Sequence, residues 1–148
     1  MLKRGYDGQV CSIARTLEVV GDRWTLLVVR DVALGKRRFD RLQESLGVAT
    51  NVLTDRLARL VAAGILDRVR YSERPERFEY QLTQKGRELG LALLALMQWG
   101  DRHLSDEPPL LARRRSDGSP VSVGLVGADG QAVSAGDLEL VPGPGAMV

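Results

Sequence analysis

Apolar residues recur at helical spacing through the first two-thirds of the chain, and then the pattern switches to alternation. Val10, Ile13, Ala14, Leu17 and Val20 fall on one side of a helix predicted over about residues 8–20. Gly21 is expected to end it in the left-handed conformation, which glycine enters without a Cβ clash. Asp22 is then the natural cap for "RWTLLVVRDVAL". Trp24, Leu26, Leu27, Val28, Val29, Val32 and Leu34 make that second helix apolar nearly all round, which predicts a place in the middle of the fold, with Gly35 closing it. Phe39, Leu42 and Leu46 share a face of a short third helix ended by Gly47. A fourth helix, in "GVATNVLTDRLARLVAAGILDR", buries Leu53, Leu57, Leu60 and Val61 and stops at Gly64. Its opposite side is crowded with Thr50, Asn51, Thr54, Asp55, Arg56 and Arg59, more polarity than a helix that only fills a core requires.

The period then becomes two. In "ILDRVRY" and "RFEYQLT", Val69 and Tyr71, then Phe78, Tyr80 and Leu82, alternate with polar residues, and "SERPE" between them is an exposed loop, so a hairpin is expected. Thr83 can cap a last, leucine-rich helix over about residues 84–103. Beyond "SDEPPLLARRRSDGSP" the chain turns to Gly, Val and Ser. Val121, Val123 and Leu125 alternate, an Asp-Gly turn signal follows, and Leu138 and Leu140 alternate again. The expected organisation is a domain over residues 1–105, a linker over 106–118, and a small hairpin-like β extension over 119–148 with a flexible "PGPGAMV" end.

A chain of 148 residues, 44% apolar, can bury an ordinary core without staples. Cys11 is the one cysteine and His103 the one histidine, so no internal disulfide can form, and neither a metal nor a cofactor is expected. "MLKRGYDGQV" has no apolar run behind its basic residues and does not match a secretion signal, and no segment is apolar for long enough to span a bilayer. A cytoplasmic protein without membrane contact is expected. The net charge of +2 divides unevenly: residues 1–105 hold 18 Lys and Arg against 13 Asp and Glu, whereas residues 106–148 hold 3 against 6. The front part is the one suited to a polyanion.

Four helices, a hairpin and a fifth helix, in that order, make a winged helix-turn-helix. The fold class is therefore α+β, mainly α, with a long C-terminal dimerisation helix and a small β appendage. A tight helix-turn-helix can present the polar side of its second helix to a major groove, which is wide enough for an α-helix and displays a distinct donor and acceptor pattern for each base pair. Thr50, Asn51, Thr54 and Asp55 lie toward the N-terminal end of the fourth helix, where such docking meets base edges, and Asn51 suits a bidentate pair with adenine. Arg56 and Arg59, further along, suit phosphate or guanine. Arg74 and Arg77 flank Pro75 at the hairpin tip, and Arg37, Arg38 and Arg41 lead into the third helix, all placed for phosphates. The plain alternative for each arginine is a solvated face.

The stretch "CSIARTLEVVGDRWTLLVVRDVALGKRRFDRLQESLGVATNVLTDRLARLVAAGILDRVRYSERPERFEYQLTQKGREL" closely resembles the HxlR-type transcriptional regulators, relatives of the MarR group. Cys11, "GDRWTLL" with Trp24, Phe39 and Leu42, "LTDRLARL" followed by Gly64, Arg68, Pro75, "EYQLTQKG" and "QWG" at Trp99 carry the likeness. It implies a homodimeric winged-helix protein that binds double-stranded DNA, with the fourth helix as reader and the hairpin as wing. Many members have a serine capping the reader; here Ala49 stands there, and the cap is expected to pass to Thr50.

The last helix shows Leu89, Ala92, Leu93, Leu96, Trp99 and Gly100 on one broad side and further leucines on others. That is more apolar width than one chain covers, so Leu89, Leu93, Leu96 and Trp99 are the candidate dimer interface. Paired readers about 34 Å apart would match a palindromic operator. Cys11 has two readings. One is a small buried hydrophobe; the other is a thiolate favoured by the start of a helix, with Arg15 one turn on. Several HxlR-type regulators sense oxidants or electrophiles at the matching position, so the resemblance admits a repressor released through Cys11. An apolar small-molecule effector near Trp24 and Trp99 is a further route, against plain core tryptophans. An enzyme is not expected, since no glycine-rich phosphate loop, metal set or nucleophile–base pair is present. The rival class is a winged helix that binds protein and not DNA.

Overall fold

A computed structural model describes residues 5–6 and 8–146. The basic start of the chain and the last two residues of the expected flexible end lie outside the described residues. Two units are described, Met1–Gly90 and Leu91–Val148, and the cut falls inside the last helix.

Four helices and a hairpin build the first unit: α1 (Ser12–Val20), α2 (Thr25–Ala33), α3 (Phe39–Leu46), α4 (Thr50–Ala62), β1 (Leu66–Glu73) and β2 (Glu76–Leu82), followed by the start of α5 (Gln84–His103). This is a winged helix-turn-helix, with α3 and α4 as the motif and β1–β2 as the wing. The apolar stripes of α2, α3 and α4 close on one another as expected, whereas that of the first helix does not: Val20 is buried, but Val10, Ile13 and Leu17 are exposed. Val28, Val29 and Val32 of α2, Leu42 and Leu46 of α3, and Leu53, Leu57 and Leu60 of α4 are buried together with Val48, Ile65 and Leu66. Each fully buried leucine contributes about 2 kcal/mol relative to exposure, so the stripe of α4 alone holds that helix in place.

Local details depart from the expectations at helix ends. α1 begins at Ser12, not near residue 8. Gly21 is not left-handed; its φ is −79°, and glycine is needed there because a Cβ would collide with the Leu17 carbonyl oxygen. Asp22 does not cap α2. The helix starts two residues later than that cap would place it, after Trp24, which stands at φ 79°. That region is costly for a bulky side chain. Arg23 lies over the Trp24 ring at 5.1 Å, and the Asp22 carboxylate is taken by Arg59. Thr50 does not cap α4 either: Ala49 holds the cap position without a side-chain bond, and the Thr50 hydroxyl is occupied by Gln43. Leu27 of α2 and Leu34 at its C-cap are exposed, while α2 packs on α3, α4 and β2.

Asp31, fully buried on α2, accepts from Arg30 Nε at 2.8 Å, and Lys36 Nζ lies 3.8 Å away. Lys36 also donates its backbone N–H to the Asp31 carbonyl at 2.9 Å, so this aspartate ties down the α2–α3 connection. The wing pairs Leu66 with Leu82 at its base and Glu73 with Glu76 at its tip, with a bulge between Arg70 and Ser72. Tyr80 N–H donates to the Arg37 carbonyl at 2.7 Å, which covers the outer edge of β2 and fixes Arg37 and Arg38 beside the wing. Thr83 caps α5 as expected, its hydroxyl accepting from Gly86 N–H at 3.0 Å. Gly86 packs so closely on the Ile65 carbonyl that a Cβ has no room.

In the second unit, β3 (Leu125–Val126) and β4 (Ala132–Val133) form a two-residue hairpin around Asp129 and Gly130, with a 3-10 turn at Ala135–Asp137. The alternation at Val121 and Val123 and at Leu138 and Leu140 therefore produces much less sheet than expected; among the described residues of this unit the one other pairing is a bridge between Arg113 and Pro120. Gln98 holds the extension to its helix from both sides of its amide: Nε2 donates to the Val121 carbonyl and Oε1 accepts from Val123 N–H, each at 2.8 Å. Ser119 donates its hydroxyl and its backbone N–H to Asp117, holding that carboxyl below the usual carboxylate range.

Candidate nucleic-acid interface

The polar side of α4 follows from where its apolar side is buried. With Leu53, Leu57 and Leu60 almost fully inaccessible, helical geometry puts Asn51, Asp55, Ala58 and Ala62 opposite them, and all four are exposed. Thr50 and Thr54 occupy one flank. Thr54 donates its hydroxyl back to the Thr50 carbonyl at 2.8 Å. Gln43 of α3 donates to the Thr50 hydroxyl at 2.9 Å and to the Val48 carbonyl at 3.3 Å, strapping the two helices of the motif together. Among the described residues the Asn51 amide has no hydrogen-bond partner.

Arg56 and Arg59 occupy the other flank and are both engaged within the chain. Arg56 Nε donates to the Arg23 carbonyl at 3.0 Å and its Nη1 to Asp55 Oδ2; its side chain is only 19% exposed. Arg59 Nε reaches the same Asp55 oxygen at 3.2 Å, and its Nη1 donates to Asp22 Oδ2. The two arginines are thus bracketed between α4 and the α1–α2 corner.

Three of the expected cations, Arg37, Arg38 and Arg41, gather at the start of α3. Lys36, Arg37, Arg38 and Arg41 line a cleft of about 550 Å³ together with Glu44 and Glu79. Arg38 lies over the Tyr71 ring at 4.4 Å, joining the start of α3 to the wing. Arg41 pairs with Glu44 at 3.2 Å, an exposed contact worth little in water. Arg74 is joined to Pro75 by a cis peptide bond at the wing tip, and Arg77 stands opposite Ser72; both arginines are exposed.

Some participants were not anticipated from the sequence. Arg68 covers Phe78 at 3.7 Å and Arg70 pairs with Glu76 at 3.2 Å, so the wing carries two more cations than its tip. Gln43 and Asp22 were missed because their roles depend on partners in other elements. A signal for Arg68 and Arg70 existed: they alternate with Val69 along β1.

Of the remaining candidates, Cys11 stands at the cap position of α1, in extended backbone, and is exposed in the single chain. Leu89 and Leu93 are half-buried, while Leu96 and Trp99 are more than half exposed. Ile13 is exposed on α1, as are Leu91 within α5 and Leu104 just beyond its end.

Comparison with known proteins gives a consistent result. The family described as HxlR-like helix-turn-helix matches residues 19–108. An uncharacterized HTH-type transcriptional regulator of Mycobacterium tuberculosis is 42% identical over 147 residues, 97% of this chain and 92% of the relative. The crystal structure of PA1607, described as a candidate transcription factor, superposes with a TM-score of 0.78 at 39% identity, over 88% of this chain and 94% of that one. The redox regulator HypR in its oxidized form is similar at a TM-score of 0.59 and 32% identity, over 64% of this chain and 97% of its own.

Proposed function

The chain belongs to the HxlR-like helix-turn-helix family of transcriptional regulators, and from that footing we propose that it is a homodimeric, sequence-specific DNA-binding repressor. The observation that carries this reading is the pairing on α4 of a fully buried stripe with an exposed row of Thr50, Asn51, Thr54 and Asp55, flanked by cations of α3 and the wing. In it α4 enters the major groove and these four residues meet base edges. Arg38, Arg41, Arg74 and Arg77 hold phosphates and set the register. Arg56 and Arg59 steady the reader through Asp22 and Arg23, and Arg59, with its side chain 59% exposed, can also approach a phosphate.

Residues 1–105 carry both DNA binding and dimerisation in this reading, with 106–118 linking to the extension. Exposed Leu96 and Trp99, with Leu89 and Leu93 beside them in the helix, are the surface for the second copy. Release comes from an oxidant or electrophile at Cys11, supported by its exposure and by the likeness to HypR, or from an apolar small molecule. Such a regulator works in the cytoplasm, where its DNA lies; no helix of the described residues is long and apolar enough to cross a membrane.

Titrating the full-length protein onto a random-sequence duplex at rising salt tests the DNA-binding part. Contacts to several phosphates make log affinity fall steeply and linearly with log salt. No binding at low salt would instead favour a winged helix that docks on protein.

A further inference from the structure

Asp55 stands in the middle of the groove-facing side of α4, where a bare carboxylate would be repelled by phosphates on both sides. Its surroundings remove that objection. Oδ2 accepts from Arg56 Nη1 and forms an ion pair with Arg59 Nε at 3.2 Å, so two guanidinium groups neutralise the charge. Each guanidinium has a second anchor outside α4, Arg56 on the Arg23 carbonyl and Arg59 on the Asp22 carboxylate. The carboxylate is therefore held in one pose, and among the described residues Oδ1 has no hydrogen-bond partner. A fixed acceptor with one open lone-pair edge is how a reading residue is preorganised.

We infer that Asp55 selects a cytosine, its Oδ1 accepting from the exocyclic amine at N4, with Arg56, Arg59 and Asp22 as positioning residues. This rests on the DNA-reading role of α4 proposed above. An ionised carboxylate only accepts. Two groups donate in the major groove, the N4 amine of cytosine and the N6 amine of adenine. Adenine places its N7 acceptor beside that amine and repels a carboxylate, whereas cytosine presents a C–H there. Guanine offers only acceptors and thymine an acceptor and a methyl group, so both leave Oδ1 buried without a partner.

The test is selection from a pool of duplexes with a randomised centre, run with the wild-type chain and with Asp55→Ala, Asp55→Asn and Asp22→Asn, each checked for an unchanged thermal melt. The wild type is expected to fix a cytosine at one position of each half-site, with about a ten-fold loss when thymine replaces it. Asp55→Ala should erase that single preference and keep the rest of the motif. Asp55→Asn, nearly the same shape, should move it to adenine, and covers the case in which the alanine variant fails to fold. Asp22→Asn should weaken the cytosine preference several-fold at little cost to binding of random duplex. A motif that keeps its cytosine in both Asp55 variants overturns the inference while leaving DNA reading intact; a wild-type pool with no enriched motif overturns both.

Discussion

The Gln43 amide of α3 donates to the Thr50 hydroxyl at the first turn of α4, and this bond joins α3 to α4 across the turn at Gly47. Thr50 is thereby removed from capping duty and given a fixed rotamer next to Asn51. Replacing Gln43 with alanine should lower unfolding stability by about 1–2 kcal/mol, the net worth of its hydrogen bonds to the Thr50 hydroxyl and the Val48 carbonyl. Urea melts check the value. Gln43→Glu, when ionised, can still accept from the Thr50 hydroxyl but can no longer donate to the Val48 carbonyl, and should lose less than the alanine variant.

The wing and the α3 entrance carry the phosphate contacts of the account. Arg74→Ala and Arg77→Ala should each weaken binding to any duplex sequence and reduce the slope of log affinity against log salt by about 1. Arg38 is also stacked on Tyr71, so Arg38→Ala should reduce the slope similarly and loosen the wing. Fluorescence anisotropy across a salt series measures both. An unchanged slope in all three variants would remove these arginines from the interface.

Two glycines of α5 should respond in opposite directions to alanine. Gly86 abuts the Ile65 carbonyl, so Gly86→Ala must push the helix start away from β1 and should cost about 1–3 kcal/mol. Nothing lies within 4 Å of the Cβ position at Gly90, and Gly90→Ala should add about 1 kcal/mol through helix propensity alone. Thermal melts of the two variants side by side decide it.

Cys11 is exposed and is the only cysteine of the chain, so any thiol-dependent release of DNA must pass through it. Diamide or a quinone should dissociate the wild-type protein from its selected duplex, and Cys11→Ser should stay bound. A serine variant released as readily as the wild type would leave the small-molecule route as the effector mechanism.

Element order and the buried faces were legible in the sequence because periodicity reports burial directly: Leu42, Leu53, Leu57 and Leu60 stand where their spacing puts them. Helix ends were less legible. Asp22 has the chemistry of a cap, but its carboxylate is claimed by Arg59, 37 residues away, and no local pattern announces a partner at that distance. Thr50 was diverted in the same manner by Gln43. Arg56 and Arg59 looked like free surface cations for the same reason: their charges face Asp55, Asp22 and the Arg23 carbonyl, acceptors that only the folded corner brings together. In the extension the alternation of valines and leucines suggested more strand than forms, because Leu138 and Leu140 find no pairing partner and stay exposed.

The most direct test of the central claim is hydroxyl-radical footprinting of the wild-type protein on its selected duplex, with the bound species counted by analytical ultracentrifugation. Two chains bound per duplex, protecting two symmetric patches with centres about 10 base pairs apart, are the expected result. A single protected patch, or one chain bound per duplex, would contradict the account.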